Sequence, residues 1–120
     1  MRVLIVDDEP MLAATLQRLL DASSIAADIA TSGTQGLSLF QQHPYDLVLC
    51  DLTLRDLPGL SLLGALQKAH PGAEKRIIFM TGGDLSPHES ALLARHGNLV
   101  LEKPFSPAEL LAAIEQVRAG

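Results

Sequence analysis

The sequence predicts a single α/β domain in which helices cover both faces of a five-stranded parallel sheet. Short apolar runs alternate five times with longer segments of helical period along the chain, which is the pattern of successive βα units. The composition is 48% hydrophobic but only 3% aromatic, as expected for an aliphatic core between helices and a parallel sheet. Because 120 residues suit one core better than two, we predict one domain over residues 1–120.

The predicted strands are short, apolar segments at residues 3–6, 27–30, 46–50, 77–80 and 99–101. The predicted helices lie between and after them, each with an apolar stripe at helical spacing. Two helix starts carry the signature of an N-cap with a Glu three residues later, Ser86 with Glu89 and Ser106 with Glu109. Gly97 is typical of a helix C-terminus.

Charge and composition exclude several classes of function. The formal net charge is −5, and no cluster of Lys and Arg provides a footprint for nucleic acid, so we expect no direct nucleic-acid contact. The one cysteine, Cys50, lies within an apolar run and indicates a buried thiol in a reducing compartment. The sequence has no long apolar span and no secretory leader pattern. We therefore expect a cytoplasmic domain without membrane contact.

Polar residues collect where the predicted strands end. Asp7 and Asp8 follow strand one, Asp51 follows strand three, Thr81 follows strand four and Lys103 follows strand five. In open parallel sheets ligands bind outside the carboxyl ends of the strands, where the strand order reverses. For the flavodoxin-like order 2-1-3-4-5, that point lies between strands one and three. The sequence therefore predicts one crevice that holds all five side chains.

Three neighbouring carboxylates repel one another unless a cation lies among them. Oxygen ligands without His or Cys favour a hard ion, and Mg²⁺ suits carboxylates combined with water and phosphate oxygens. The alternative for Asp7, Asp8 and Glu9 is a simple acidic helix N-terminus. The matching positions of Asp51 and Lys103 favour the metal site.

An Asp in a metal-binding crevice is a candidate nucleophile toward phosphorus. Asp51 is best placed for this role, with Lys103 as a compact positive charge and the Thr81 hydroxyl as a donor that acts once the phosphoryl group has arrived. For Lys103 the alternative is a resting salt bridge to Asp51. For Thr81 it is a hydroxyl that caps the end of the strand.

Four motifs together resemble the response-regulator receiver domains of two-component signalling. They are Val6-Asp7-Asp8-Glu9-Pro10, Asp51-Leu52, Phe79-Met80-Thr81-Gly82 and Glu102-Lys103-Pro104-Phe105. The resemblance covers nearly the whole chain. The segments Phe79-Met80-Thr81-Gly82-Gly83 and Leu101-Glu102-Lys103-Pro104-Phe105 are similar to receivers of hybrid sensor histidine kinases, and a stand-alone regulator is the alternative.

The resemblance implies Mg²⁺-dependent transfer of a phosphoryl group to Asp51, followed by slow autodephosphorylation rather than multiple turnover. The donor would be the phosphohistidine of a histidine kinase or histidine phosphotransfer domain. The implied metal ligands are Asp8, Asp51 and the backbone carbonyl of Thr53, with Asp7 assisting through water. Thr81 and Lys103 would hold the phosphoryl oxygens.

The chain departs from the family at two positions. Arg55 stands where the family often has Pro, four residues after the acceptor, which predicts a different loop shape. Val100 stands where the family usually has the Tyr or Phe that moves inward when the switch Thr engages the phosphoryl group. We hypothesise that signalling runs through the backbone of Thr81 to Asp84, or that the domain mainly relays phosphoryl groups.

The outer side of the first helix is a candidate partner surface. Leu12, Leu16 and Leu19 are predicted core residues, which leaves Met11, Thr15 and Arg18 outside. In the receiver family this face contacts the kinase or phosphotransfer domain, so the resemblance nominates these three residues. Plain solvent exposure is the alternative.

Three other functions are compatible with parts of the pattern. A haloacid-dehalogenase-like phosphatase also uses a nucleophilic Asp with Mg²⁺, but it needs a second Asp where this chain has Thr53. Flavodoxin-like mononucleotide binding would require amide-rich or basic loops rather than carboxylates. A non-catalytic pseudo-receiver is disfavoured because every expected site residue is present.

Overall fold

Strands and helices alternate along the chain in the computed structural model, which describes residues 1–83 and 85–119. The elements in chain order are β1 (Arg2–Val6), α1 (Pro10–Ala22), β2 (Ala26–Ala30), α2 (Gly33–Gln42), β3 (Leu47–Asp51), α3 (Gly59–Ala69), a 3₁₀ turn (Ala73–Arg76), β4 (Ile77–Thr81), α4 (Pro87–His96), β5 (Leu99–Glu102) and α5 (Pro107–Ala119). The predicted sequence of elements is confirmed, and the 3₁₀ turn is an addition to it.

The five strands form one parallel sheet in the order β2-β1-β3-β4-β5. The predicted flavodoxin-like α/β fold is therefore confirmed. Val6 pairs with Cys50 in the register between β1 and β3, so Asp7 and Asp51 leave the sheet at the same level. Thr81 pairs with Glu102 between β4 and β5, which brings Lys103 to the same edge.

Alternating side chains of the sheet enter two apolar layers, one on each face. Leu4, Val48 and Phe79 belong to the layer that packs against α2 and α3. Ile5 and Leu49 belong to the layer covered by α1 and α5. All five residues of β3 and all five of β4 are buried, which explains why their sequences lack a polar face. The two layers therefore enclose the central strands from both faces of the sheet.

The helix ends follow the local sequence signals. The Ser86 hydroxyl accepts from the Glu89 N–H and the Glu89 carboxylate accepts from the Ser86 N–H, and Gly97 has a φ of 72° at the end of α4. Ser106 and Glu109 exchange the same pair of hydrogen bonds at the start of α5. These capping predictions are confirmed.

Strand boundaries differ from the predicted ones by a single residue in places. The ladder of β3 omits Asp46 and includes Asp51, and β4 includes Thr81. Polar residues at strand ends still pair through their backbone, because ladder hydrogen bonds do not depend on side-chain polarity. Within the described residues, the helices are all too short or too polar to cross a bilayer.

Candidate functional site

Three carboxylates converge at the carboxyl edge of the sheet. Asp7, Asp8 and Asp51 each offer an oxygen, and these oxygens lie within 4.8 Å of one another. Asp7 is 0% exposed and Asp51 is 1% exposed, whereas Asp8 is partly buried. The crevice between β1 and β3 that was predicted from strand ends is therefore present.

The chain turns in the same way after β1 and after β3, and this turn fixes two of the carboxylates. Oδ1 of Asp7 accepts from the Glu9 N–H at 2.9 Å. Oδ1 of Asp51 accepts from the N–H and the hydroxyl of Thr53, each at 3.0 Å. An Asp side chain that accepts from the N–H two residues later forms an Asx turn. Each turn leaves the other oxygen, Oδ2, directed at a common neighbour.

That neighbour is Lys103. Its Nζ lies 3.2 Å from Oδ2 of Asp7, 3.3 Å from Oδ2 of Asp51 and 3.6 Å from the Glu9 carboxylate. Its backbone N–H donates to the Thr81 carbonyl at 2.7 Å, which holds the residue directly after β5. The resting salt bridge expected with Asp51 is present, and Asp7 and Glu9 share it. Lys103 thus joins the two buried carboxylates.

Burial and the neighbouring charges both shift the pKa values of this cluster. Burial raises the pKa of Asp7, and the nearby Asp51 charge adds to the rise, against the Glu9 N–H and Lys103, which lower it. Burial by itself lowers the pKa of Lys103, but the charges of Asp51 and Asp7 outweigh it and hold that pKa above its ordinary value. The single positive charge of Lys103 is therefore shared among the carboxylates of Asp7, Glu9 and Asp51 and does not neutralise all of them.

The donor set fits a hard divalent cation. The ligand atoms are carboxylate oxygens, and excess negative charge remains after Lys103 is counted. Mg²⁺ prefers one or two carboxylates together with waters and phosphate oxygens. Each of the three carboxylates offers an oxygen to such a cation, and Asp8 is the most exposed of them. The chemistry of the cluster thus agrees with the predicted Mg²⁺ site.

The buried Asp7 makes stability depend on pH. Its raised pKa means that the folded chain binds this proton more tightly than the unfolded chain, so the contribution of Asp7 falls as pH rises above the unfolded value near 3.8. In EDTA at pH 7, the Asp7→Asn variant is expected to have a higher urea midpoint than the wild type, because it removes a buried charge whose pKa is raised in the folded state. The gain should shrink as pH falls toward 4. Urea titrations of both proteins across this range check it, and a gain that grows on acidification would contradict it.

Thr81 lies at the edge of the site and is engaged elsewhere. Its hydroxyl donates to the Gly83 carbonyl at 3.0 Å and accepts from the Gly83 N–H at 3.3 Å. Val100 is partly buried beside it, and the two residues line one cavity of about 450 Å³. Asp84, the end of the segment expected to carry the signal, lies outside the described residues. In this conformation the Thr81 hydroxyl therefore caps the end of β4, which was the alternative to a role in binding the phosphoryl group.

The loop after β3 contributes contacts that the sequence did not reveal. The Arg55 N–H donates to Oδ2 of Asp8 at 3.1 Å, and its Nε lies 3.8 Å from the same oxygen although the side chain is 89% exposed. Asp56 binds the N-terminus of α2. The hydrogen bond from the Thr53 hydroxyl to Asp51 was not predicted from the sequence either, although the segment Asp51-Leu52-Thr53 is compatible with an Asx turn. The expected metal contact of the Thr53 carbonyl remains a prediction.

The three residues nominated on α1 do face outward. Met11 is 86% exposed, and Thr15 and Arg18 are also exposed. A groove of about 510 Å³ runs beside them, lined by Leu12 and Leu19 of α1 and reaching across to the start of α5. Of the three leucines expected in the core, Leu16 is buried as predicted, whereas Leu12 and Leu19 are only partly buried. An apolar surface next to the site is consistent with a partner contact.

Comparison with known proteins decides the family. The model of the response regulator receiver domain matches residues 3–115. The chain belongs to the response regulator receiver domain family. This receiver domain is 37% identical over 114 residues to the transcriptional regulatory protein DltR of Streptococcus agalactiae, which covers 95% of this chain and 50% of that protein.

Solved structures agree with this family. A CheY-like response regulator receiver domain protein from Methanospirillum hungatei is 29% identical with a TM-score of 0.88, covering 98% of this chain and 94% of that one. The receiver domain of the Francisella response regulator 1452 is 26% identical with a TM-score of 0.84, covering 99% and 98%. The phosphatase and pseudo-receiver alternatives gain no support from these matches.

The receiver domain spans about half the length of the curated relatives it matches. The narrower resemblance to receivers of hybrid sensor histidine kinases stays a prediction, as does the assignment of residues 1–120 to one domain.

Proposed function

We propose that Asp51 is the phosphoacceptor of this receiver domain and takes a phosphoryl group from the phosphohistidine of a histidine kinase or histidine phosphotransfer domain. The observation that carries the proposal is the bridge from Lys103 to Asp51 and Asp7 within the cluster of three carboxylates. The ammonium lies 3.3 Å from the Asp51 carboxylate, and a fixed positive charge beside the attacking oxygen favours phosphoryl transfer.

The reaction exchanges one bond to phosphorus for another. A carboxylate oxygen of Asp51 forms the new O–P bond as the N–P bond of the phosphohistidine breaks, and the imidazole leaves with the electron pair. Because Thr53 holds Oδ1 and Lys103 holds Oδ2, the carboxylate is oriented before the donor arrives. The product is an aspartyl phosphate, which slow hydrolysis returns to the carboxylate.

Asp8, Asp51 and the Thr53 carbonyl are the proposed direct ligands of Mg²⁺, with Asp7 acting through water. When bound, the metal neutralises charge on the phosphoryl oxygens and among the carboxylates. Asp7 helps to hold Lys103 next to Asp51, since the ammonium lies 3.2 Å from its Oδ2.

Lys103 and Thr81 are the proposed partners of the phosphoryl oxygens once transfer has occurred. Lys103 turns from the carboxylate to the incoming anion, and the Thr81 hydroxyl leaves Gly83 to donate to it. Val100 provides no aromatic ring to follow that movement. We propose that the structural response to phosphorylation is confined to the backbone near Thr81. Spectra of the protein with and without a bound mimic of the acyl phosphate test this proposal, and large shifts in β5 and α5 would contradict it.

The exposed face of α1 is the proposed docking surface for the phosphodonor protein. Met11 presents apolar area, and Thr15 and Arg18 extend the face along the helix. A Met11→Glu variant separates docking from chemistry, because transfer from a kinase should slow while labelling by a small phosphodonor should not. Equal slowing of both reactions would count against this surface.

The test of the function compares two small phosphorus compounds in the presence of Mg²⁺. Phosphoramidate resembles phosphohistidine and should label each chain with at most one phosphoryl group, seen by intact mass and released by hydroxylamine as an acyl phosphate is. EDTA should stop the labelling. p-Nitrophenyl phosphate should not be turned over. Repeated hydrolysis of this ester, or a label that resists hydroxylamine, would overturn the proposal.

A further inference from the structure

The loop between β3 and α3 is held at nearly every residue. Leu52 and Leu54 are buried in the apolar layer beneath it, while the Arg55 N–H reaches Oδ2 of Asp8. The next residue, Asp56, turns away from the carboxylate cluster toward the N-terminus of α2. The loop therefore connects the candidate phosphoryl site to a helix that contributes none of the carboxylates.

Asp56 binds that helix through three hydrogen bonds. Its Oδ1 accepts from the Gly33 N–H at 2.9 Å, and its Oδ2 accepts from the N–H and the hydroxyl of Thr34 at 3.0 and 2.8 Å. These bonds lower the pKa of Asp56 to about 2, with the Gly33 N–H as the largest cause. A carboxylate is favoured at a helix N-terminus, and this one is supplied from 22 residues away in sequence.

Ser32 already provides the local cap of α2. Its hydroxyl accepts from the Gln35 N–H at 3.0 Å, which is the ordinary N-cap interaction. The two caps therefore occupy different N–H groups of the same helix end. Of the two caps, Asp56 is the one that belongs to the loop.

Close packing reinforces the link. A Cβ added at Gly33 would lie 2.7 Å from Cβ of Leu57, so the loop contacts the helix backbone with no space between them. Asp56 and Leu57 thus fix the loop on α2 at two successive residues. Movement of the loop away from α2 would carry Arg55 and Thr53 with it.

We propose that Asp56 is a positioning residue of the phosphoryl and metal site, an inference that rests on the proposed function. Its hydrogen bonds to α2 fix the position of the loop. The loop in turn positions the Arg55 N–H, which orients Asp8, and the Thr53 N–H, which orients Asp51. Partners behind the ligands of a metal commonly set the affinity of the site, because they fix ligand orientation. Asp56 itself touches neither the metal nor the phosphoryl group.

Calorimetric titration of the unphosphorylated domain with Mg²⁺ alone tests this role. Asp56→Ala is expected to weaken Mg²⁺ binding about tenfold and to slow labelling by phosphoramidate. Asp56→Asn keeps one acceptor oxygen, so its Mg²⁺ affinity should lie between those of Asp56→Ala and the wild type. The Arg55 amide resonance should shift in Asp56→Ala, since its hydrogen bond to Asp8 changes.

Ser32→Ala is the matched control, because it removes the other cap of α2 and leaves the loop contacts in place. Both alanine variants should lower the urea midpoint, but Ser32→Ala should leave Mg²⁺ affinity within about twofold of wild type. Equal Mg²⁺ affinity in the two variants would overturn the inference and leave the proposed function standing. Absence of Mg²⁺ binding by the wild-type domain would overturn both.

Discussion

Replacing Asp51 with Asn is expected to abolish formation of the aspartyl phosphate. The amide is not a nucleophile toward phosphorus, and the loss of labelling should be on the order of 100-fold or more. Asn keeps an oxygen that can accept from Thr53 N–H and hydroxyl, so the turn after β3 should persist. Labelling by phosphoramidate with Mg²⁺, followed by intact mass, measures the effect.

The same substitution at the opposite end of the strand is the control. Asp46 directly precedes β3, and its Oδ2 accepts from the Arg2 N–H at 2.7 Å, far from the carboxylate cluster. Asp46→Asn should label as wild type does. If Asp51→Asn also labelled normally, the acceptor would be a different residue and the proposed chemistry would be wrong.

The fold was predictable because its signals are local and repeated. The runs at β3 and β4 are apolar throughout since both faces of the central strands are covered by helices. The caps at Ser86 and Ser106 depend only on residues three positions apart. The 3₁₀ turn before β4 has no comparable signal, because such short turns follow from how the chain must reach the next strand.

The heart of the site was predictable for a topological reason. Parallel strands have their carboxyl ends at one edge, so residues at the carboxyl ends of β1, β3 and β5 lie along that edge once the strand order is known. The register of Val6 with Cys50 then places Asp7 level with Asp51. Sequence reasoning assigned Lys103 to Asp51 alone, since the reach of a flexible side chain to Asp7 cannot be judged from spacing.

The loop contacts were not predictable in the same way. Asp56 meets α2 across 22 to 23 residues of sequence, and Arg55 meets Asp8 across 47. Such pairs follow from the path of a loop, which neither periodicity nor turn chemistry specifies. Arg55 in place of Pro predicted a different loop shape, but not that Asp56 and Leu57 would hold the loop against α2.

Replacing Lys103 with Met is expected to have two separable effects. It removes the ammonium from Asp7 and Asp51, which are buried, and without metal the folded state should lose about 3 kcal/mol. In the proposed mechanism it also removes a fixed charge from beside the transferred phosphoryl group, so labelling should slow on the order of 100-fold. Urea unfolding and phosphoramidate labelling measure the two effects independently. Lys75→Met, at an exposed position, is the control for loss of a lysine.

Mg²⁺ distinguishes the two roles of Lys103. A bound cation replaces the lost neutralising charge among the carboxylates, so Mg²⁺ should restore most of the stability of Lys103→Met. It should not restore the labelling rate, because in the proposed mechanism the ammonium contacts the phosphoryl oxygens directly, and Mg²⁺ among the carboxylates would not replace that contact. Lys103→Arg should be intermediate, since its planar fork does not reproduce the compact contact of Nζ with three carboxylates. Recovery of the labelling rate along with stability would mean that Lys103 serves only to hold the resting carboxylates together, and that phosphoryl transfer relies on the metal and Thr81 alone.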